Sequence, residues 1–100
     1  MEIFNGDNFI FNYSCTLNDS LYEFKKDDQL KVIIYNIAKD NYIIEDINFS
    51  ENTTDININI DSSKMKKLKA GRHILEIKLL NKDVITTLHE KIEIKESWCL

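Results

Sequence analysis

The chain has no proline, two glycines, two cysteines and a single tryptophan in 100 residues. The scarcity of glycine and of cysteine each closes off a kind of chemistry. With glycine only at positions 6 and 71, no glycine-rich loop can cradle a phosphate. Cys15 sits in an apolar alternation and Cys99 is next to last, so they form neither a disulfide framework nor a paired metal-ligand motif. No apolar run approaches the roughly 20 residues needed to span a bilayer. The opening MEIFNGDNFIF has neither a basic leader region nor a small-residue cleavage site, so the expectation is a chain made in the cytoplasm and kept or assembled there.

Basic residues are outnumbered, with Lys and Arg at 13 against 17 Asp and Glu, a net charge of −4. That balance argues against nucleic acid as a partner, because phosphate neutralisation needs a surplus of cations on one face. The local exception is the run Lys64, Lys66, Lys67 and Lys69. It reads either as a solvated helical turn or as a contact for an anionic surface or acidic partner. Ile, Asn and Lys are abundant in the manner of AT-rich coding, so exposed asparagines are not by themselves recognition residues.

What is present is alternation. Half-buried strands carry apolar residues at every second position because successive side chains point to opposite faces. Phe9, Phe11, Tyr13, Cys15 and Leu17 form one such row, ended by the turn chemistry of Asn18-Asp19-Ser20. Leu21, Tyr22 and Phe24 are expected to cover one end of the core. Leu30, Val32 and Ile34 alternate with Lys31, Ile33 and Tyr35, a strand apolar on both faces and therefore central. Tyr42 to Phe49 is a less regular strand. Ile56, Ile58 and Ile60 alternate with Asn57 and Asn59 in a register that a one-residue slip would ruin.

Asp61 or Ser62 then has the short oxygen that caps a helical turn, with Met65 and Leu68 as its inward pair and Gly71 closing it. Arg72 to Leu80, Val84 to Leu88 and a stretch through Ile92 and Ile94 complete the strands, with a tight turn at Asn81-Lys82-Asp83. The reading is one all-β domain over residues 1–96 with a tail at 97–100. It is an antiparallel β-sandwich of about seven strands with a helical turn near 62–68, a small closed barrel being the structural rival.

Catalytic, metal and cofactor sites are not expected. His73 and His89 are sixteen apart and lack paired ligands at zinc spacing. The carboxylates at Asp7, Asp27, Asp28, Asp40, Glu45, Asp46 and Asp61 read as solvated turn charges without the spacing of a calcium loop. Serine has no nucleophile elbow, and Cys15 is expected to be buried and inert. Tyr13, Tyr22, Tyr35, Tyr42 and Trp98 are dispersed, with Trp98 read either as an anchor for another subunit or as a cover folded back over the end of the sandwich.

Four segments together carry a resemblance: Phe4-Asn5-Gly6-Asp7 before the first strand, Asp28-Gln29-Leu30-Lys31-Val32, Leu68-Lys69-Ala70-Gly71-Arg72-His73, and Asp83-Val84-Ile85-Thr86-Thr87-Leu88. The chain resembles the immunoglobulin-like N-terminal domain of the tailed-phage baseplate upper protein and its stand-alone prophage relatives, over roughly residues 4 to 95. Glu76 matches the acidic residue that group carries in the strand after its corner. His73 stands where the group has an aromatic such as tyrosine, and His89-Glu90-Lys91 replace an expected glycine. The resemblance implies an immunoglobulin-like sandwich without catalytic residues, located in the virion. It would dock on other virion proteins at the tail or baseplate, with several copies able to associate within one particle and neither nucleic acid nor membrane as partner. A capsid decoration protein is the nearest alternative. A carbohydrate-binding module using Tyr35, Tyr42 or Trp98, or a small phage-encoded inhibitor of a host protein, comes from a different class.

Overall fold

Alternation becomes architecture in the computed structural model, which describes residues 1–96. Nine strands and one helical turn follow in order: β1 (Glu2–Phe4), β2 (Phe9–Tyr13), β3 (Thr16–Leu17), β4 (Ser20–Leu21), β5 (Gln29–Asn36), β6 (Tyr42–Asn48), β7 (Ile56–Ile60), α1 (Ser62–Met65), β8 (Gly71–Asn81) and β9 (Asp83–Lys95). The main sheet has five strands in the order β1-β9-β8-β5-β6, and β2 pairs with β7 as a two-stranded layer opposite. The fold is an all-β sandwich with one short helix. No helix among the described residues is long and apolar enough to cross a membrane.

The two layers meet because each turns one face inward. Leu30, Val32 and Ile34 of β5, Leu75, Ile77 and Leu79 of β8, and Ile92 and Ile94 of β9 are buried together with Tyr13 of β2 and Ile58 and Ile60 of β7. Each fully buried aliphatic side chain contributes about 1.5–3 kcal/mol relative to exposure. Segments without regular structure fill what two strands leave uncovered. Phe24 and Phe49 stack with centroids 4.9 Å apart and planes 7° from parallel, and Tyr22 meets Phe24 edge-on at 5.4 Å. Leu21 does not join them; it is exposed at the end of the β3–β4 hairpin.

Several elements differ from the expected ones. β1 pairs with β9 in parallel, so the main sheet is mixed, not purely antiparallel. The row from Phe9 to Leu17 breaks after Tyr13, and its end folds into the β3–β4 hairpin, whose Asn18 and Asp19 both take positive φ (53° and 63°). Positive φ at both central residues is the two-residue turn that matches strand twist, and Asn and Asp tolerate it better than other side chains. The last two expected strands are one, β9, in which Thr87 is the extra residue where the register shifts between Ile77 and Lys78. Asp61 precedes α1 in extended conformation but makes no side-chain cap; its carboxylate takes the Ser63 hydroxyl instead, at 3.0 Å.

The Thr87 bulge ties the layers together. The Thr87 hydroxyl donates to the Ile77 carbonyl at 3.1 Å and accepts from the Tyr13 hydroxyl at 2.6 Å. Burial is the main reason the Tyr13 hydroxyl is pushed up from its ordinary range, with the Thr87 bond opposing. Thr87→Val leaves both partners without their bond, and a buried polar group left so costs about 1–3 kcal/mol. Urea unfolding should show a loss of that size for Thr87→Val. It should show about 0.5–1.5 kcal/mol for Tyr13→Phe, and a double variant less destabilised than the sum of the two.

Candidate functional site

The corner that follows β7 is built from the residues the alternation ends on. Met65 and Leu68 are buried, while Lys66, Lys67 and Lys69 project into solvent. Lys64 is half-buried and its ammonium lies 3.4 Å from Glu45 Oε1. The four lysines therefore do not form one patch, since Lys64 turns toward β6 and away from the others. Gly71 takes φ +134°, a backbone conformation other residues rarely adopt, although nothing within 4 Å would meet an added Cβ.

Asn41, in the β5–β6 hairpin, locks this corner. Its amide donates to the Lys67 carbonyl at 2.8 Å and accepts from the Lys69 backbone N–H at 2.8 Å, which fixes its orientation. His73 is buried beneath, with Nε2 3.2 Å from Asn41 Oδ1 and Nδ1 3.2 Å from the Gly71 carbonyl. A histidine and an asparagine thus supply the side-chain lock. Trp98, the other suggested partner contact, lies outside the described residues.

Asp28 departs from the expectation of solvated turn carboxylates. It is buried because Oδ2 accepts the Tyr22 hydroxyl at 2.7 Å and the Lys25 backbone N–H at 3.0 Å, closing the turn before β5. Burial first, and the Asp28 charge second, push the nearby Cys15 thiol up from its usual range. His73 and His89 lie on β8 and β9 but face opposite sides of the sheet, since His73 pairs with Ile92 and His89 with Glu76. Among the described residues no three His, Cys, Asp or Glu side chains stand close enough to hold a metal ion.

The distinctive surface is the outer face of the five-stranded sheet. Register places Tyr42, Tyr35, Ile74 and Lys91 side by side across β6, β5, β8 and β9. The next row is Ile44, Ile33, Glu76 and His89, and beyond it stand Asp46, Lys31, Lys78 and Thr86. The β6–β5 side is thus apolar over two rows, with Tyr42 56% and Ile44 37% exposed. A shallow depression of about 550 Å³ runs between Ile33, Tyr35, Tyr42, Ile44, Glu76 and Lys78.

Glu76 organises the charged side. The Tyr35 hydroxyl donates to Glu76 Oε1, Lys78 Nζ lies 3.4 Å from Oε2, and His89 Nδ1 lies 3.2 Å from Oε1. These contacts, the Tyr35 bond foremost, hold the Glu76 carboxyl below its usual range against the opposing effect of burial. The same bond, with burial, raises the Tyr35 hydroxyl. Lys39 sits over the Tyr35 ring at 5.7 Å, and Lys31 pairs with Asp46 at 2.9 Å. Glu76, Tyr35 and Tyr42 appeared in the sequence as separate candidates; that they share one face follows only from strand pairing.

Two outcomes follow. Asn41→Ala removes the bonds to Lys67, Lys69 and His73 together and should lower the urea midpoint by the equivalent of about 1–3 kcal/mol, with an unchanged denaturant slope. For Glu76, a folded-state pKa below the unfolded one stabilises the fold fully above the unfolded value of about 4.3, and that contribution disappears as pH falls through the folded value. Glu76→Gln should therefore be less stable than the native chain at pH 7, and the gap should close as pH falls below about 4. Stability measured by urea unfolding across pH 2.5–7 checks this; a gap independent of pH would contradict it. Comparison with protein families, with curated proteins and with solved structures finds no match to this chain.

Proposed function

We propose that the chain is a non-enzymatic adaptor domain of a tailed-phage or prophage particle, docking on other virion proteins at the tail or baseplate through the outer face of its five-stranded sheet. One observation carries the docking reading: Tyr42, Tyr35, Ile44, Ile33 and Ile74 lie contiguous on that face, flanked by Glu76, Lys78 and His89. An apolar, aromatic-bearing patch bordered by charge is the usual composition of a protein contact, where buried aromatics supply most of the energy and a polar rim excludes water. The virion setting rests on the resemblance to the immunoglobulin-like baseplate domains. A buried His73 under the corner, where that group carries an aromatic, and Glu76 at the matching position of β8 support it.

A second reading has its own observation. Tyr35 and Tyr42 are direct cross-strand partners beside ordered charged groups, an arrangement on which a sugar ring could stack. On that reading the domain binds carbohydrate.

Immunogold labelling of particles released by the bacterium that encodes the chain tests the leading reading. Label at the tail end is the expected result, and the folded double variant Tyr42→Asp/Ile44→Asp should be incorporated at least about tenfold less, as for loss of central contacts. Label on the head shell would make it a decoration protein. Unlabelled particles, together with saturable glycan binding lost in Tyr42→Ala, would transfer the function to carbohydrate recognition.

A further inference from the structure

The second layer of the sandwich contains β2 and β7, and among the described residues neither pairs with any other strand. Open edges invite pairing with another chain, and proteins ordinarily guard them with charge, proline, bulges or inward-pointing charged residues. β6, the edge of the main sheet, is guarded in this way: it carries Asp46 and turns Glu45 inward, held by Lys64. β7 carries none of these devices. Its five residues, Ile56-Asn57-Ile58-Asn59-Ile60, are uncharged, regular and free of bulges.

The sequence of β7 also reads the same in both directions. Antiparallel pairing of two such strands about a two-fold axis at Ile58 sets Ile56 opposite Ile60 of the second copy and Asn57 opposite Asn59 of the second copy. Side chains alternate faces with period two, so every isoleucine meets an isoleucine on the core side and every asparagine meets an asparagine on the outside. No other long edge is self-complementary in this sense. The same operation on β2 about Phe11 sets Ile10 against Asn12, and on β6 about Glu45 it sets Ile44 against Asp46 and Glu45 against itself.

We propose that β7 is a self-recognition edge through which two copies of the chain join their two-stranded layers into one four-stranded layer, β2-β7-β7-β2. Ile56, half-buried in the single chain, gains cover in the pair. Asp55 and Asp61, exposed at the two ends of β7, oppose each other across the junction in this register. They keep the association weak and make it salt-dependent in a particular direction: screening the repulsion strengthens it. Five residues per strand is a small contact, below the area of a stable dimer, so the pairing operates where copies are held close together, as in a symmetric assembly.

The test uses the full chain in sedimentation velocity from about 10 μM to about 1 mM, the range in which weak contacts populate, at low and high salt. Monomer–dimer exchange is expected, with tighter association in about 0.5 M than in about 0.05 M salt. Two variants alter the same exposed positions and distinguish register from general damage. Asn57→Lys/Asn59→Lys sets lysine against lysine twice and should weaken the dimer about tenfold. Asn57→Lys/Asn59→Glu sets lysine against glutamate twice and should restore or tighten it. Equal urea midpoints for the two variants confirm that folding is not the cause. A chain monomeric at about 1 mM in high salt, or a dimer equally tight in both variants, overturns the proposal.

Discussion

The inner face of the five-stranded sheet is a wall of isoleucine, leucine and valine, and only two strands lie across it, so the rest of the fold follows from how the remaining area is kept from water. Phe24 and Phe49 stack over one part, and Met65 and Leu68 of the corner plug another. Irregular backbone placed over a core needs its own polar groups satisfied, since an unpaired buried group costs as much as several aliphatic contacts supply. The Phe24–Thr53 bridge, the Asp28 Oδ2 bond to the Lys25 N–H and the Asn41 lock on Lys67 and Lys69 serve that need, while Asp28 Oδ1 stays buried without a hydrogen-bond partner among the described residues. The Tyr13–Thr87 bond then fixes one layer on the other at a bulge, where the ladder of β8 and β9 is already interrupted.

The same narrowness of the second layer determines which surfaces are left for other molecules. A five-stranded sheet covered on one side exposes its other side in full, and here that side is not uniformly polar: the β6–β5 half carries isoleucine and tyrosine, the β8–β9 half carries charge. Meanwhile the open edges differ in character. β6 is guarded by Glu45 and Asp46, β1 has only three residues, and β7 is long enough and neutral enough to pair. A broad face and a narrow edge are different kinds of contact. The face suits a side-chain partner of any backbone conformation, whereas the edge accepts only an extended strand in register.

Much of the sandwich was legible because strong alternation reports burial directly. β5, β7 and β8 each show apolar residues at every second position, and each is where that period puts it. β1 left no such trace: three residues with one buried side chain, Ile3, carry no period, and their parallel pairing to β9 depends on a partner some ninety residues away. The continuity of β9 was hidden because the polar run His89-Glu90-Lys91 separates its two apolar stretches and because the bulge at Thr87 breaks the alternation just before it. The face was legible only as ingredients. Tyr35 meets Glu76 across 41 positions of sequence, and no local pattern encodes that juxtaposition. Asn41 lies in the β5–β6 turn, but its bonds to Lys67 and Lys69 at the corner belong to tertiary packing that no local pattern encodes.

The charged half of the outer face also constrains how that face can bind. Glu76 already takes a hydroxyl from Tyr35 and lies within ion-pair reach of Lys78 and His89, so its carboxylate has little capacity left for an incoming group. Lys31 is occupied by Asp46, and Lys78 also donates to Thr86. Breaking such contacts to form equivalent ones with a partner yields small net gains, because an exposed ion pair is worth only about 0–1 kcal/mol in the first place. The affinity available therefore comes from covering Tyr42, Ile44 and their neighbours, while the fixed charges reject partners whose own charges are wrongly placed. A patch of this size sustains only modest affinity for any one contact, and affinity of that kind becomes effective only where many copies engage at once.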